Sequence, residues 1–321
     1  MVIAYIYLPE LIISQIEEYC EVVSFHSIQI EKERFLNELK DCEGLIGAEL
    51  PITEELLQKA PKLKIVSNIS VGYDNFDLES MTRHGVMGTN TPGVTETTAD
   101  AMMVLLLAAA RRIPELDQFV KEKKWTNLIG MEHYGIDVHN RTLGIIGMGK
   151  IGFAVAKRAH FGFDMNILYH NRSQNKEREE AVHATYCELN ELLRKSDFVL
   201  MMASANEGTR HLIGEEQFSL MQPNAIFING SRGQNVDEVA LVQALKKGHI
   251  YGAALDVFET EPISPDHELL QLKNVVTVPH IGSATFETRQ RMVQMAISNL
   301  IQGIKSETPT NLLNQEVLKT H

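Results

Sequence analysis

Cysteine is scarce: Cys20, Cys42 and Cys187 are the only three in 321 residues. Their number is odd and no two share a metal-ligand spacing. They read as reduced, mostly structural thiols of a cytoplasmic protein, not as a disulfide framework or a zinc site. Basic residues are outnumbered: 30 Lys and Arg against 42 Asp and Glu leave a net charge of −12. The cations are dispersed, in short pairs such as Arg111-Arg112 and Lys123-Lys124, which argues against nucleic acid or an anionic membrane as a partner. No apolar run is long enough to cross a bilayer; the longest, 101–110, reads as a buried helix. The start, Met1-Val2-Ile3-Ala4-Tyr5-Ile6-Tyr7, lacks a basic head and reaches Pro9-Glu10 too soon for a signal peptide. No repeat at a fixed period and no low-complexity segment is found, and the length suggests about two domains.

The most informative stretch is Gly147-Met148-Gly149-Lys150-Ile151-Gly152. It follows the apolar Leu143-Gly144-Ile145-Ile146 and opens a helix-like Phe153-Ala154-Val155-Ala156. In that context a G-x-G-x-x-G loop cradles a dinucleotide pyrophosphate: the first glycine turns, the second admits the phosphates, and the third packs helix on strand. The pyrophosphate then meets free N–H groups at a helix N-terminus. More than a hundred residues precede the loop, so the nucleotide domain is not simply N-terminal.

Before the loop, strand signals at 2–7, 21–25, 44–46, 64–69 and 86–89 alternate with helix signals at 10–19, 31–40, 53–60 and 78–83. This rhythm predicts a parallel sheet covered on both faces, with Thr53 capping the helix that begins with Glu54 and Glu55. A long helix is expected over 97–120, apolar on nearly every face and therefore buried between domains or against another subunit. Residues 125–140 lack a period and read as a loop. A second series has strands at 143–146, 166–169, 198–202, 225–229, 252–257 and 275–278, and a last helix at 286–302. The polar tail after Ser306 is expected to fray.

Three later strands each end on a charged or titratable group, in Asn229-Gly230-Ser231-Arg232-Gly233, Asp256-Val257-Phe258-Glu259-Thr260-Glu261-Pro262 and Pro279-His280-Ile281-Gly282. Open α/β sheets bind ligands at their carboxyl edge, so Arg232, Glu261 and His280 are predicted to share one crevice beside the dinucleotide.

With Ser70-Val71-Gly72-Tyr73-Asp74-Asn75, Asn90-Thr91-Pro92-Gly93-Val94 and Ala109-Ala110-Arg111-Arg112, these segments carry a resemblance over nearly the whole chain. It resembles the D-isomer-specific 2-hydroxyacid dehydrogenases, most closely their glyoxylate/hydroxypyruvate and 2-ketogluconate reductases. The resemblance implies an α/β protein of two Rossmann-like or flavodoxin-like domains with parallel sheets. A substrate domain of 1–96 and 285–321 would hold an inserted dinucleotide-binding domain of 97–284, with the active site in the cleft between them and a homodimer as the assembly.

It also implies the chemistry. His280 would protonate the carbonyl oxygen of a small 2-keto acid as hydride arrives, a role an imidazole fills near neutral pH. Glu261 would stabilise its imidazolium. Arg232 would hold the substrate carboxylate and carbonyl with a planar fork of donors, and the Val71 and Gly72 N–H groups the other carboxylate oxygen. Asp256, with Gly230 nearby, would meet the nicotinamide end. Where relatives carry a proline-containing turn followed by Thr, this chain has Ala203-Ser204-Ala205-Asn206-Glu207-Gly208-Thr209, and Ser231 stands where alanine is usual. Other readings are an NAD(P)H-sensing, corepressor-like regulator and a same-fold dehydrogenase for another 2-hydroxy acid such as phosphoglycerate.

The cofactor's second phosphate is addressed by the residues themselves. NAD-specific sites place an acid about twenty residues beyond the glycine loop, on the ribose 2′-hydroxyl. Here that strand ends in His170-Asn171-Arg172-Ser173 with no acid. Arg172 and Ser173 suit a 2′-phosphate, so NADP(H) is expected to be preferred, with NAD(H) possible.

Overall fold

In the computed structural model, which describes residues 1–319, the chain divides into two compact units, Met1–Val94 with Thr285–His321, and Thr95–Ala284. In the first unit the strands are β1 (Val2–Ala4), β2 (Val22–Ser24), β3 (Gly44–Gly47), β4 (Ile65–Asn68) and β5 (Met87–Thr89). They pair in the order β2-β1-β3-β4-β5, all parallel, the flavodoxin-like order. Side chains alternate across the sheet. Val2, Ala4, Ile46 and Ile65 pack with Met292, Ala296 and Leu300 of the helix Phe286–Ile304. Ile3, Tyr5, Leu45 and Val66 pack on the other face with Phe35, Leu57 and Met81. Both faces are covered, as a parallel sheet requires. Thr53 caps its helix, its hydroxyl accepting from Leu56 N–H at 3.4 Å.

In the second unit the strands are β6 (Thr142–Ile146), β7 (Asn166–His170), β8 (Thr185–Tyr186), β9 (Phe198–Met201), β10 (Ile226–Asn229), β11 (Gly252–Leu255) and β12 (Val275–Thr277). The order is β12-β11-β10-β9-β6-β7-β8, all parallel. This is the doubly wound dinucleotide-binding order with one strand added at an edge, and its switch point lies between β6 and β9. Leu143, Ile145, Leu200 and Ile228 face Met102, Leu106 and Val155 of the helices Thr95–Ala110 and Lys150–Phe163. Val199, Met201, Phe227 and Leu255 face Leu192, Phe218 and Leu241 on the other side. Truncating one such buried Leu or Ile to alanine costs about 2–5 kcal/mol.

Two expectations need correction. The helix predicted over 97–120 is two helices, Thr95–Ala110 and Ile113–Lys121. Arg112 sits between them in the left-handed region, at φ 53°. In a continuous helix the Pro114 ring would clash with the Ala110 carbonyl; that carbonyl instead accepts Ile136 N–H at 2.9 Å. The first helix buries eight residues and the second none. Among the described residues, the tail after Ser306 does not fray. It pairs with β5 through an antiparallel Thr89–Leu312 bridge and buries Asn314 and Val317. The Asn314 amide accepts Gly88 N–H and donates to Val86 C=O, both at 2.9 Å, capping the edge strand. The loop at 125–140 contains one short 3-10 turn, Met131–His133, and the short β8 carried no sequence signal.

Candidate active site

The glycine loop leaves β6 at the switch point. Gly147 has φ +95°, and a Cβ there would lie 2.4 Å from Ala203 N in the loop after β9. Only glycine allows those two loops to meet. A Cβ at Gly152 would lie 2.7 Å from the Gly147 carbonyl, so the helix Lys150–Phe163 packs against the loop that starts it. A Cβ at Gly149 would meet nothing within 4 Å, which leaves a cradle at the helix N-terminus where a pyrophosphate fits. Lys150 is exposed and Ile151 half-buried in the same first turn.

The end of β7 is tied to this loop. His170 C=O accepts Gly147 N–H at 2.9 Å, and Asn171 Oδ1 accepts Met148 N–H at 2.7 Å. The His170 ring stacks on Tyr186, with Nδ1 3.1 Å from Cys187 C=O. Arg172 and Ser173 are exposed. Arg178, which the sequence reading missed, donates from Nη1 to Met148 C=O at 2.7 Å and lies over the Phe153 ring. No acid stands among these groups, and Arg172 and Arg178 leave the end of β7 with a cationic rim.

Arg232, Glu261 and His280 follow β10, β11 and β12 in the same unit. His280 Nδ1 lies 2.7 Å from Glu261 Oε2, and Glu261 Oε1 accepts Phe258 N–H at 2.9 Å. Burial opposes ionisation of Glu261, but the hydrogen bonds from His280 and Phe258 outweigh it and hold its carboxyl below the ordinary value. The Glu261 hydrogen bond raises the His280 imidazole above its ordinary value against burial, with Asp256 adding to the rise and Arg232 opposing it. A histidine so held donates a proton near neutral pH. Arg232 Nη1 bonds Ser231 C=O at 2.8 Å, and its charge reaches both partners. Beneath it, the Ser231 hydroxyl donates to Asn229 Oδ1 and accepts from Asn235 Nδ2, each at 3.0 Å. The serine is thus part of a buried polar network.

Asp256 is 2% exposed. Its Oδ1 accepts Ile281 N–H at 2.6 Å and its Oδ2 accepts Gly282 N–H at 3.0 Å, while its C=O accepts His280 N–H at 2.9 Å. Three bonds therefore clamp the turn in which His280 is held at φ 52°, a region unfavourable for residues with a Cβ. Burial raises the Asp256 carboxyl, while these N–H groups and His280 pull it down. Gly230 is half-buried beside Met102.

Val71 and Gly72 belong to the first unit, in the loop after β4. Their carbonyls are held by Asn90 Nδ2 at 2.7 Å and Asn68 Nδ2 at 2.9 Å. Among the described residues neither N–H has an acceptor, so this loop presents two donors suited to an anion.

Comparisons with known proteins show the family. Residues 103–282 match the family model for "D-isomer specific 2-hydroxyacid dehydrogenase, NAD binding domain". A glyoxylate/hydroxypyruvate reductase B of Shigella boydii is 48% identical over 320 residues, 98% of each chain. A protein of Thermus thermophilus superposes with a TM-score of 0.90 at 37% identity, over 97% of this chain and 99% of that one. An NADPH-dependent glyoxylate/hydroxypyruvate reductase of Sinorhizobium meliloti, solved with NADP and malonate, does so with a TM-score of 0.87 at 30% identity, over 98% and 97%.

Proposed function

This chain belongs to the D-isomer-specific 2-hydroxyacid dehydrogenases, a family of nicotinamide-dependent oxidoreductases, and from that premise we propose that it reduces small 2-keto acids to D-2-hydroxy acids with NADPH preferred over NADH. The substrates are of the glyoxylate, hydroxypyruvate and 2-ketogluconate type. The observation that carries the reading is the His280–Glu261 hydrogen bond of 2.7 Å, in the unit that also holds the glycine loop.

A reduced nicotinamide, when bound, would supply a hydride to the keto carbon. The protein's task is to bind the acid, orient its carbonyl and deliver a proton to its oxygen. Nδ1 of His280 is engaged by Glu261, so Nε2 is the atom left to donate that proton. Glu261 keeps the ring charged until it does so. Arg232 grips the carboxylate and polarises the carbonyl, and the Val71 and Gly72 N–H groups of the first unit are two further donors for an anion. Asp256 holds the His280 turn and, with Gly230, meets the nicotinamide end. Gly147, Gly149, Lys150, Ile151 and Gly152 seat the pyrophosphate, with His170 and Asn171 beside the adenosine ribose. The absence of an acid after β7, with Arg172 and Ser173 exposed there, supports NADPH, since an acid would repel a 2′-phosphate.

In this reading the unit Thr95–Ala284 is the dinucleotide-binding domain and the remainder the substrate domain. A homodimer is supported by the apolar surface around the helix Ile113–Lys121: Ile113, Val120, Trp125, Leu128 and Met131 are all at least half exposed. No described helix is long and apolar enough to cross a membrane, and the reduced cysteines support a cytoplasmic setting.

The reading is tested by following loss of reduced-nicotinamide absorbance with glyoxylate, hydroxypyruvate, 2-ketogluconate, pyruvate and phosphohydroxypyruvate. Turnover of at least one of the first three, faster with NADPH, is expected. Turnover of phosphohydroxypyruvate alone, or none with any acid, contradicts it.

A further inference from the structure

Glu238 is a buried carboxylate that the steps above do not use. It begins the helix Glu238–Lys246, capped by Asp237, and is 7% exposed. Its Oε1 accepts the backbone N–H of Glu259 at 2.7 Å. Its Oε2 lies 3.4 Å from His267 Nε2. His267 Nδ1 accepts Leu269 N–H at 3.3 Å; a ring nitrogen that accepts carries no proton, so the proton of the neutral ring sits on Nε2, facing Glu238. Burial raises the Glu238 carboxyl and Glu259 and Glu261 raise it further, while the Glu259 N–H and His267 lower it.

The turn that Glu238 holds carries Glu261. Within it, Phe258 N–H bonds Glu261 Oε1. The Glu259 side chain pairs outward with His211 Nε2. Beneath the turn lies Gly233, where a Cβ would fall 1.9 Å from the Phe258 carbonyl carbon. The loop bearing Arg232 and the turn bearing Glu261 therefore press backbone to backbone, with Glu238 as the polar anchor from the helix behind.

We propose that Glu238 is a positioning residue for the proton-transfer pair: by holding the Glu259 N–H it fixes the turn that carries Glu261, and so the geometry in which Glu261 meets His280. This rests on the roles given to Glu261 and His280 above. Glu238 touches no reacting atom. It acts through Glu261, whose second oxygen must stay aligned with Nδ1 to keep the imidazolium stable. Displacing a catalytic group by about 1 Å can cost on the order of 100-fold in rate.

The charged groups that bear on a pH profile are few. Glu259, Glu261 and His267 face Glu238, and Glu261, Asp256 and Arg232 face His280. The test assays Glu238→Ala and Glu238→Gln in the full chain with NADPH and hydroxypyruvate across pH, beside Kd for NADPH. Glutamine keeps an oxygen that accepts the Glu259 N–H, though its amide nitrogen then faces His267 Nε2; alanine keeps neither contact. Glu238→Ala is expected to lose about 10–100-fold in kcat. It should also move the alkaline limb of kcat/KM to lower pH, toward that of Glu261→Gln, with Kd for NADPH unchanged. Glu238→Gln is expected to restore most of both. If the alanine variant does not fold, Glu238→Asp, whose arm is shorter, must show the displaced limb. An unmoved limb in the folded variant overturns the proposal even if kcat falls, and so does a glutamine variant no better than alanine. Glu261→Gln separates the two levels. A limb that moves with Glu261→Gln but not with the Glu238 variants overturns the proposal alone. A limb unmoved by Glu261→Gln overturns the proton-transfer reading and the proposal with it.

Discussion

Asp256 and His280 are bound by a clamp of three hydrogen bonds: the Asp256 carbonyl takes His280 N–H, and its two carboxylate oxygens take the N–H groups of Ile281 and Gly282. The clamp presents the imidazole on a left-handed turn and leaves Nδ1 for Glu261. A strand end, a buried carboxylate and a histidine thus form one rigid device, a placement that proton transfer requires.

Replacing His280 with alanine removes the proposed proton donor. Turnover should fall by about 10²–10⁴-fold, with NADPH affinity largely kept because the glycine loop is untouched. Single-turnover kinetics with a parallel NADPH titration check this; turnover close to wild type would remove His280 from the role.

Arg172→Asp places an acid where a 2′-phosphate is proposed to lie. Losing a hydrogen bond to a charged group costs about 1.5–3 kcal/mol, so Kd for NADPH should rise about 10–100-fold while Kd for NADH changes little. Fluorescence titration with each nucleotide measures it. Equal losses for both would mean that Arg172 does not read the phosphate.

The docked tail gives a prediction about stability. Asn314→Ala leaves the Gly88 N–H and the Val86 carbonyl without the partner they have now. A buried unsatisfied group costs about 1–3 kcal/mol. The urea midpoint of the first unit should fall measurably with the slope unchanged; an unchanged midpoint would show that the tail adds nothing.

Much of the fold was legible because both sheets are parallel and buried on both faces. Runs such as Leu143–Ile146 and Phe198–Met201 are then apolar throughout and bounded by turn residues, a pattern readable without knowledge of partners. The break at Arg112 was signalled by Pro114, but the apolar period running through it masked that signal. The contact that settles it, Ile136 N–H on the Ala110 carbonyl, comes from a loop with no period. Asn314 was illegible because its partners at Val86 and Gly88 lie more than two hundred residues away in sequence. At the site, strand-end logic led to Arg232, Glu261 and His280, since each follows a strand of one sheet. Glu238 and Arg178 escaped it because each sits on a helix and reaches a backbone group of a remote loop, a relation no local pattern encodes. Asp256 was expected to meet the nicotinamide end; its clamp on the His280 turn became visible with the turn itself.

The most direct measurement of the central claim is the pH profile of kcat/KM for NADPH-dependent reduction of hydroxypyruvate, in wild type and in Glu261→Gln. Glu261 raises the His280 imidazole above its ordinary value. The charged donor therefore persists to higher pH, and reduction declines only as pH rises through that raised value. Removing the carboxylate charge should return the alkaline limb toward the ordinary histidine range, near pH 6.5 or about one unit either side, with a fall in turnover. A limb that stays in place in Glu261→Gln would contradict the Glu261–His280 pair as the source of the proton.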